Sequence, residues 1–317
     1  MEDEDPASGG SPAASPPGTP EGTWERGGRS LNSAALAGLL GVGVIYFYGQ
    51  SFVVTIAVLA TTGREAFAGQ TEGLFKHLIT IAELTKTPIR VCLIVTQFAF
   101  MLLPTLWLIR RWHTADVRSY IRLRRCSPSQ LALAVCAIAF LFPVNIVVSE
   151  FFESRLNIPE KLLRINETLF TASGAGELAF VILAIAVTPA ICEEILFRGY
   201  VQRTLERTIG WKSVVVVGIL FGLYHMQPLG LLTLSGLGLV FGYFYYASNS
   251  LFPGMAAHFT NNLLVVVWLY IVKTDALGSF HLTTGAFTLL ASIALPSAAL
   301  SLYLFHRVST KPQTPAG

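Results

Sequence analysis

Long apolar runs separated by short charged segments set the pattern of this chain. Leu31 to Gly63 contains no Asp, Glu, Lys or Arg. It exceeds the ~20 residues that cross a hydrocarbon core, so it predicts one long or tilted helix with a kink near Gly49. Residues 64–90 are mixed. Leu74, Phe75, Leu78, Ile81 and Leu84 recur there at helical spacing among Glu72, Lys76, Glu83 and Lys86, the pattern of a helix lying in the membrane interface. Val91 to Ile109, Leu131 to Val148 and Glu177 to about Glu206 read as spans two to four. A short apolar fifth helix, Ser213 to Met226, ends at Pro228, and Leu229 to Ala247, Pro253 to Ile271 and Leu282 to Phe305 complete the set. Gly218 with Gly222, and Gly238 with Gly242, are small residues four apart that let helix backbones approach closely in lipid, so helices four to seven are expected to form a tight core.

Composition agrees with this pattern. Hydrophobic residues make up 53% and charged residues 13%, against about a quarter charged in soluble domains, and mean hydropathy is +0.58. The expected fold is all-α, a polytopic integral membrane protein of about eight transmembrane helices. The charges orient it. Arg110, Arg111, Arg118, Arg122, Arg124 and Arg125 face a single acid, Asp116, and mark a cytoplasmic loop, whereas residues 150–176 are acidic on balance and belong on the other side. With Arg203, Arg207 and Lys212, and then His306, Arg307 and Lys311, on the basic side, both termini are expected in the cytoplasm. Residues 1–29, rich in Pro, Gly, Ser and Glu, read as a disordered tail without signal-peptide character. Asn166-Glu167-Thr168 is formally a glycosylation sequon. Cys92, Cys126, Cys136 and Cys192 lack the CxxC spacing of a metal knuckle and read as free thiols.

Chemistry concentrates in three apolar segments. Glu193, Glu194 and Arg198 lie in the fourth span, Phe221 and His225 in the fifth helix, and His258 and Asn262 in the seventh span. A charge at the bilayer centre costs roughly 3 to 10 kcal/mol, so such groups mark function. Glu194 and Arg198, four apart, can pair along one helix face, while Glu193 is turned about 100° away and can face something else. His258 and Asn262 also share a face. Pro189 removes the amide that would bond to the Ile185 carbonyl and predicts a local opening beside the carboxylates. A carboxylate and imidazole can activate water, and an imidazole and amide can meet the oxyanion of an attacked carbonyl. The run Phe241-Gly242-Tyr243-Phe244-Tyr245-Tyr246 reads as an interfacial belt.

The order Glu193-Glu194-x-x-x-Arg198, Phe221-x-x-x-His225, His258-x-x-x-Asn262 resembles the CAAX-protease and bacteriocin-processing (CPBP, or Abi) family of intramembrane proteases, which includes the Ras-converting type of CAAX endopeptidase. The resemblance covers about residues 175–275, where a four-helix catalytic core is implied. That core follows N-terminal helices and loops over 30–174 and precedes a last helix over 276–305 and a tail over 306–317. It implies Glu193 and His225 activating water, His258 and Asn262 stabilising the oxyanion, and Glu194 and Arg198 orienting the site or holding substrate. No cofactor is expected; the alternative is zinc on Glu193, His225 and His258. The implied partners are the lipid bilayer and a membrane-anchored peptide or protein, with no nucleic acid, in a membrane expected to be a bacterial plasma membrane. A proton relay or transporter using the same carboxylates, and a non-catalytic membrane scaffold, are the competing readings.

Overall fold

The computed structural model describes residues 22–63, 74–156, 168–227, 230–274 and 284–310, and among them every regular element is helical. After a single turn α1 (Thr23–Arg26), α2 (Leu31–Thr62) runs unbroken past Gly49. Gly49 serves close approach instead: a Cβ there would stand 2.6 Å from the Phe100 ring. Helix α3 starts at Leu74–Thr96, passes through a π-helical stretch, Gln97–Leu102, and ends with Leu103–Trp112. A turn α4 (Val117–Tyr120) and α5 (Pro128–Leu156) follow. Helix α6 is built of Ala175–Val181, π-helical Ile182–Val187, Thr188–Glu194, π-helical Ile195–Gln202 and Arg203–Ile209. Then come α7 (Lys212–Tyr224), α8 (Leu231–Ser248), α9 (Phe252–Thr274) and α10 (Thr284–Ser309).

Seven of these helices are long and apolar enough to cross a membrane, and α7 is a shorter apolar helix. At 13 residues and about 1.5 Å per residue, α7 is about 20 Å long against a ~30 Å core. Helices α7 and α8 together lead away from the Glu206 end of α6 and back to it, since Arg122 meets Glu206 and Arg124 meets Asn249. The protein is an all-α polytopic membrane protein, and its outer helices expose Leu40, Tyr48, Phe52, Trp107 and Ile293 as a lipid-facing surface requires. Helix α6 is the central one: 67% of its most apolar window is buried among the other helices, against 6% for α2.

The interfacial helix expected over 64–90 and the span expected from Val91 are one continuous helix from Leu74 onward; residues 64–73 lie outside the described part. Its charges are neutralised where they stand. Lys86 pairs with Glu83 and Glu177, both at 3.3 Å. Arg90, fully buried, meets Glu177 at 2.7 Å and donates to the carbonyls of Thr168, Leu169 and Thr171. The sequon is only partly described, since Asn166 and Glu167 fall outside. Residues 22–29, read from composition as tail, are ordered; residues 1–21 are outside the described part.

The arginine-rich loop is also a clamp. Arg122 makes a bidentate pair with Glu206 on α6, at 2.9 and 2.5 Å, and Arg124 donates to the Asn249 carbonyl in the α8–α9 turn. The expected close packing of α7 on α8 is present: a Cβ on Gly238 would lie 2.7 Å from the Gly218 carbonyl, and one on Gly222 would lie 2.9 Å from the Leu231 carbonyl.

Residues 22–29 dock on the ends of α3 and α6. The Gly22 amide donates to the His113 carbonyl, Trp24 packs on Trp112 at 4.6 Å, and Glu25 bridges His113 at 2.7 Å and Arg207 at 2.5 Å. Burial opposes the charge of Glu25, but hydrogen bonds from Arg207 and His113 outweigh it and hold the carboxyl below its usual range. Burial pushes the His113 imidazole down against the opposing pull of Glu25. Both groups bind fewer protons docked than free. Docking is therefore strongest above the ordinary imidazole value of 6.5 and weakens as pH falls through the imidazole and then the carboxylate range. Tryptophan emission is expected to shift to the red between about pH 7 and about pH 4, with Trp24→Phe losing most of the change; emission flat across that range would contradict the docking account.

Candidate active site

Helix α6 carries the site because it is irregular on both sides of it. Pro189 has no amide hydrogen, so the Ile185 carbonyl lacks its usual helical donor, and the preceding turns are π-helical. Asn262 of α9 supplies the missing donor, Nδ2 to the Ile185 oxygen at 2.9 Å. The opening expected at Pro189 is thus a π-helical stretch closed by a side chain from a neighbouring span. A second π-helical stretch begins immediately after Glu194, and such segments frequently occur at functional sites.

Glu194 and Arg198 are both fully buried and pair at 2.8 Å. The same carboxylate oxygen, Oε1, meets His258 Nδ1 at 2.9 Å. Arg198 also donates from Nη2 to the Gly238 carbonyl at 2.9 Å, and its guanidinium lies 4.6 Å from the Phe221 ring centroid and 5.4 Å from that of Phe241. Gly254 leaves room for the other oxygen, since a Cβ there would stand 3.0 Å from Glu194 Oε2. The ion pair therefore ties α6 to α8 and α9 as well as neutralising itself.

Glu193, 9% exposed, faces two imidazoles. Its Oε2 lies 3.8 Å from His225 Nε2 and 3.9 Å from His258 Nε2, and has no direct hydrogen-bond partner. The tautomers follow from the acceptors. His225 Nδ1 is 2.8 Å from the Phe221 carbonyl, which can only accept, so that nitrogen carries the proton. His258 Nδ1, on the Glu194 carboxylate, carries one too. Both Nε2 atoms then converge on Glu193. Phe221 packs against both rings, at 4.7 Å from His225 and 5.7 Å from His258, and Phe241 stacks on His258 at 5.1 Å and 16°.

The structure thus brings Glu193, Glu194, Arg198, His225 and His258 into one cluster, with Asn262 alongside on the Ile185 carbonyl and accepting from Asn261 at 3.0 Å. The interfacial belt expected over residues 241–246 is instead largely core, and Phe241 in it belongs to the site: Phe241, Phe244 and Tyr245 are buried and only Tyr246 in that run is exposed. The helix is apolar all round, so no face of α8 is marked by polarity. Gln97, buried in the stretch of α3 that packs on Thr188–Glu194, is a further polar group near the site, and its isolation in an apolar span is a usable signal.

Residues 175–264 match the family model described as Rce1-like, type II CAAX prenyl endopeptidase. Searches of curated proteins and of solved structures found no match.

Removing one partner from a buried ion pair leaves an uncompensated charge and costs about 3–5 kcal/mol. Glu194→Leu is expected to lower stability by that amount in thermal unfolding. Adding Arg198→Met should restore most of the loss without restoring activity, because His258 would still lack its Nδ1 acceptor. A single variant as stable as the wild type would contradict the assignment.

Proposed function

We propose that this chain, whose residues 175–264 match the Rce1-like type II CAAX prenyl endopeptidase model, is a membrane protease that hydrolyses a peptide bond of a membrane-anchored protein or peptide with water activated by Glu193 and His225. The observation that carries the reading is the convergence of Glu193 Oε2, His225 Nε2 and His258 Nε2 at 3.8 and 3.9 Å. These separations are too long for direct hydrogen bonds. One water about 2.8 Å from each atom can bridge them at a closed angle of about 85–90°.

Proton counting divides the labour. Three acceptors around one water exceed its two hydrogens, so the cluster holds one further proton. On His258 that proton has a carboxylate at each ring nitrogen, Glu194 at 2.9 Å and Glu193 at 3.9 Å; on His225 it would have only one. His258 is therefore the donor that meets the oxyanion, and His225 with Glu193 is the base. As the water oxygen attacks the scissile carbonyl, its proton passes to the Glu193–His225 pair. When the tetrahedral intermediate collapses, the C–N bond breaks and that proton goes to the leaving amine. Asn262 uses one amide hydrogen on Ile185 and has the second for the oxyanion. Glu194 and Arg198 act through His258, as positioning residues.

The same three atoms are the ones zinc would take, and a bound ion would supply a Lewis acid and a water of lowered pKa. Tetrahedral zinc with bonds of about 2.0–2.1 Å sets its donors about 3.3 Å apart, and among the described residues no three His, Cys, Asp or Glu side chains stand at metal-binding spacing. The fourth polar group at the site is the Asn262 amide, which suits oxyanion donation better than zinc binding and supports metal-free hydrolysis. The basic loop and tail segments support an orientation with both termini in the cytoplasm.

Comparing membrane proteomes of cells carrying wild-type and Glu193→Ala protein is expected to reveal fragments that depend on the carboxylate. Cleavage of such a substrate by reconstituted protein should fall by about 100-fold or more in Glu193→Ala and His225→Ala and should survive a chelator. Undiminished proteolysis by Glu193→Ala would sink the assignment, and loss of activity with chelator, recovered on adding zinc, would transfer it to the metal mechanism.

A further inference from the structure

A second set of polar side chains, from helices outside the matched segment as well as within it, stands beside Glu193 without a part in the steps above. Gln97 opens the π-helical stretch of α3, which packs directly on Thr188–Glu194 of α6. It is only 6% exposed, its Oε1 has no hydrogen-bond partner, and α2, which carries Tyr46, packs on the same stretch. Tyr224, next to His225, lays its ring over Gly43 of α2, where an added Cβ would stand 3.2 Å from the ring and 3.8 Å from the hydroxyl. The ring also meets Phe197 edge-on at 5.2 Å. Phe197 lies four residues beyond Glu193 and shares its face of α6. The Tyr224 hydroxyl is buried with no hydrogen-bond partner. Tyr46 lies one turn beyond Gly43 on α2 and packs, with Tyr224, against the buried core that holds Cys192 and Phe197.

Two buried, unpartnered polar atoms beside a catalytic carboxylate forgo hydrogen bonds that water would otherwise supply. Their chemistry is complementary to one ligand. A peptide being cut inside a membrane must have its backbone N–H and C=O groups free of helix near the scissile bond, and with no bulk water there the enzyme has to satisfy them. Tyr224 and Tyr46 can donate through their hydroxyls, and the Gln97 oxygen can accept.

We propose that Tyr46, Gln97 and Tyr224 form a subsite that grips the substrate's peptide backbone beside the scissile bond, the phenols donating to a substrate carbonyl and the Gln97 oxygen accepting from a substrate N–H. The inference rests on the endopeptidase reading. It gives α2 and α3 a share of the active site.

The test uses the full chain in bilayers and a farnesylated, fluorophore-labelled peptide with a C-terminal CAAX sequence as the probe. Tyr224→Phe and Tyr46→Phe keep the ring packing and remove only the hydroxyl; Gln97→Leu removes the amide. Each is expected to raise KM about 3- to 10-fold, the worth of one hydrogen bond, with kcat within about twofold of wild type. Probe binding measured by anisotropy in a Glu193→Ala background should weaken by the same factor. Unchanged KM and unchanged binding in both tyrosine variants would overturn the subsite, whatever Gln97→Leu does to folding. Wild-type protein that leaves the probe uncut would overturn the endopeptidase reading alone, since probe binding in the Glu193→Ala background still scores the subsite.

Discussion

A carboxylate with no access to water has to be neutralised and hydrogen-bonded by its surroundings, and Glu194 is held in this way by Arg198 from its own helix and His258 from α9. The requirement fixes more than the carboxylate. Arg198 reaches on to the Gly238 carbonyl, which places α8, and α8 approaches α7 closely because Gly218 and Gly238 face one another. His258, held at Nδ1, can present only Nε2 to Glu193. One buried pair therefore sets the packing of three helices and the orientation of the His258 ring. A buried pair of this kind is weak support for stability by itself; here its value is geometric.

The backbone around it is arranged to the same end. A regular helix would close every carbonyl on itself and leave Asn262 nothing to hold. Pro189 and the π-helical turns expose the Ile185 carbonyl, and Asn262 locks α9 to α6 one turn beyond His258. Glu193 and Glu194 occupy a short α-helical stretch between two π-helical ones. Adjacent carboxylates can therefore serve different partners, one structural and one facing the imidazoles.

Much of this was legible in the amino-acid sequence, because charges in apolar runs are conspicuous and the i, i+4 rule is local. The pairing of Glu194 with Arg198 and the turning of Glu193 away from it needed nothing else. The continuous α3 was not legible, since Glu83, Lys86 and Arg90 look like interface residues until Glu177, nearly a hundred positions away, is seen to neutralise two of them. The order of residues 22–29 was hidden for the same reason: Glu25 finds His113 and Arg207 only in the fold. Phe241 and Gly254 carry no polar signal at all, and their roles depend on what packs against them.

The central claim is that both imidazoles are held with Nδ1 protonated and Nε2 turned to Glu193. Nitrogen-15 spectra of histidine-labelled protein in bilayers test it most directly, with His225→Ala and His258→Ala assigning the two rings. The account predicts that each ring has a protonated Nδ1, and that in Glu194→Leu the His258 Nδ1 signal alone moves. A neutral ring at either position with a bare Nδ1 and a protonated Nε2 would contradict it.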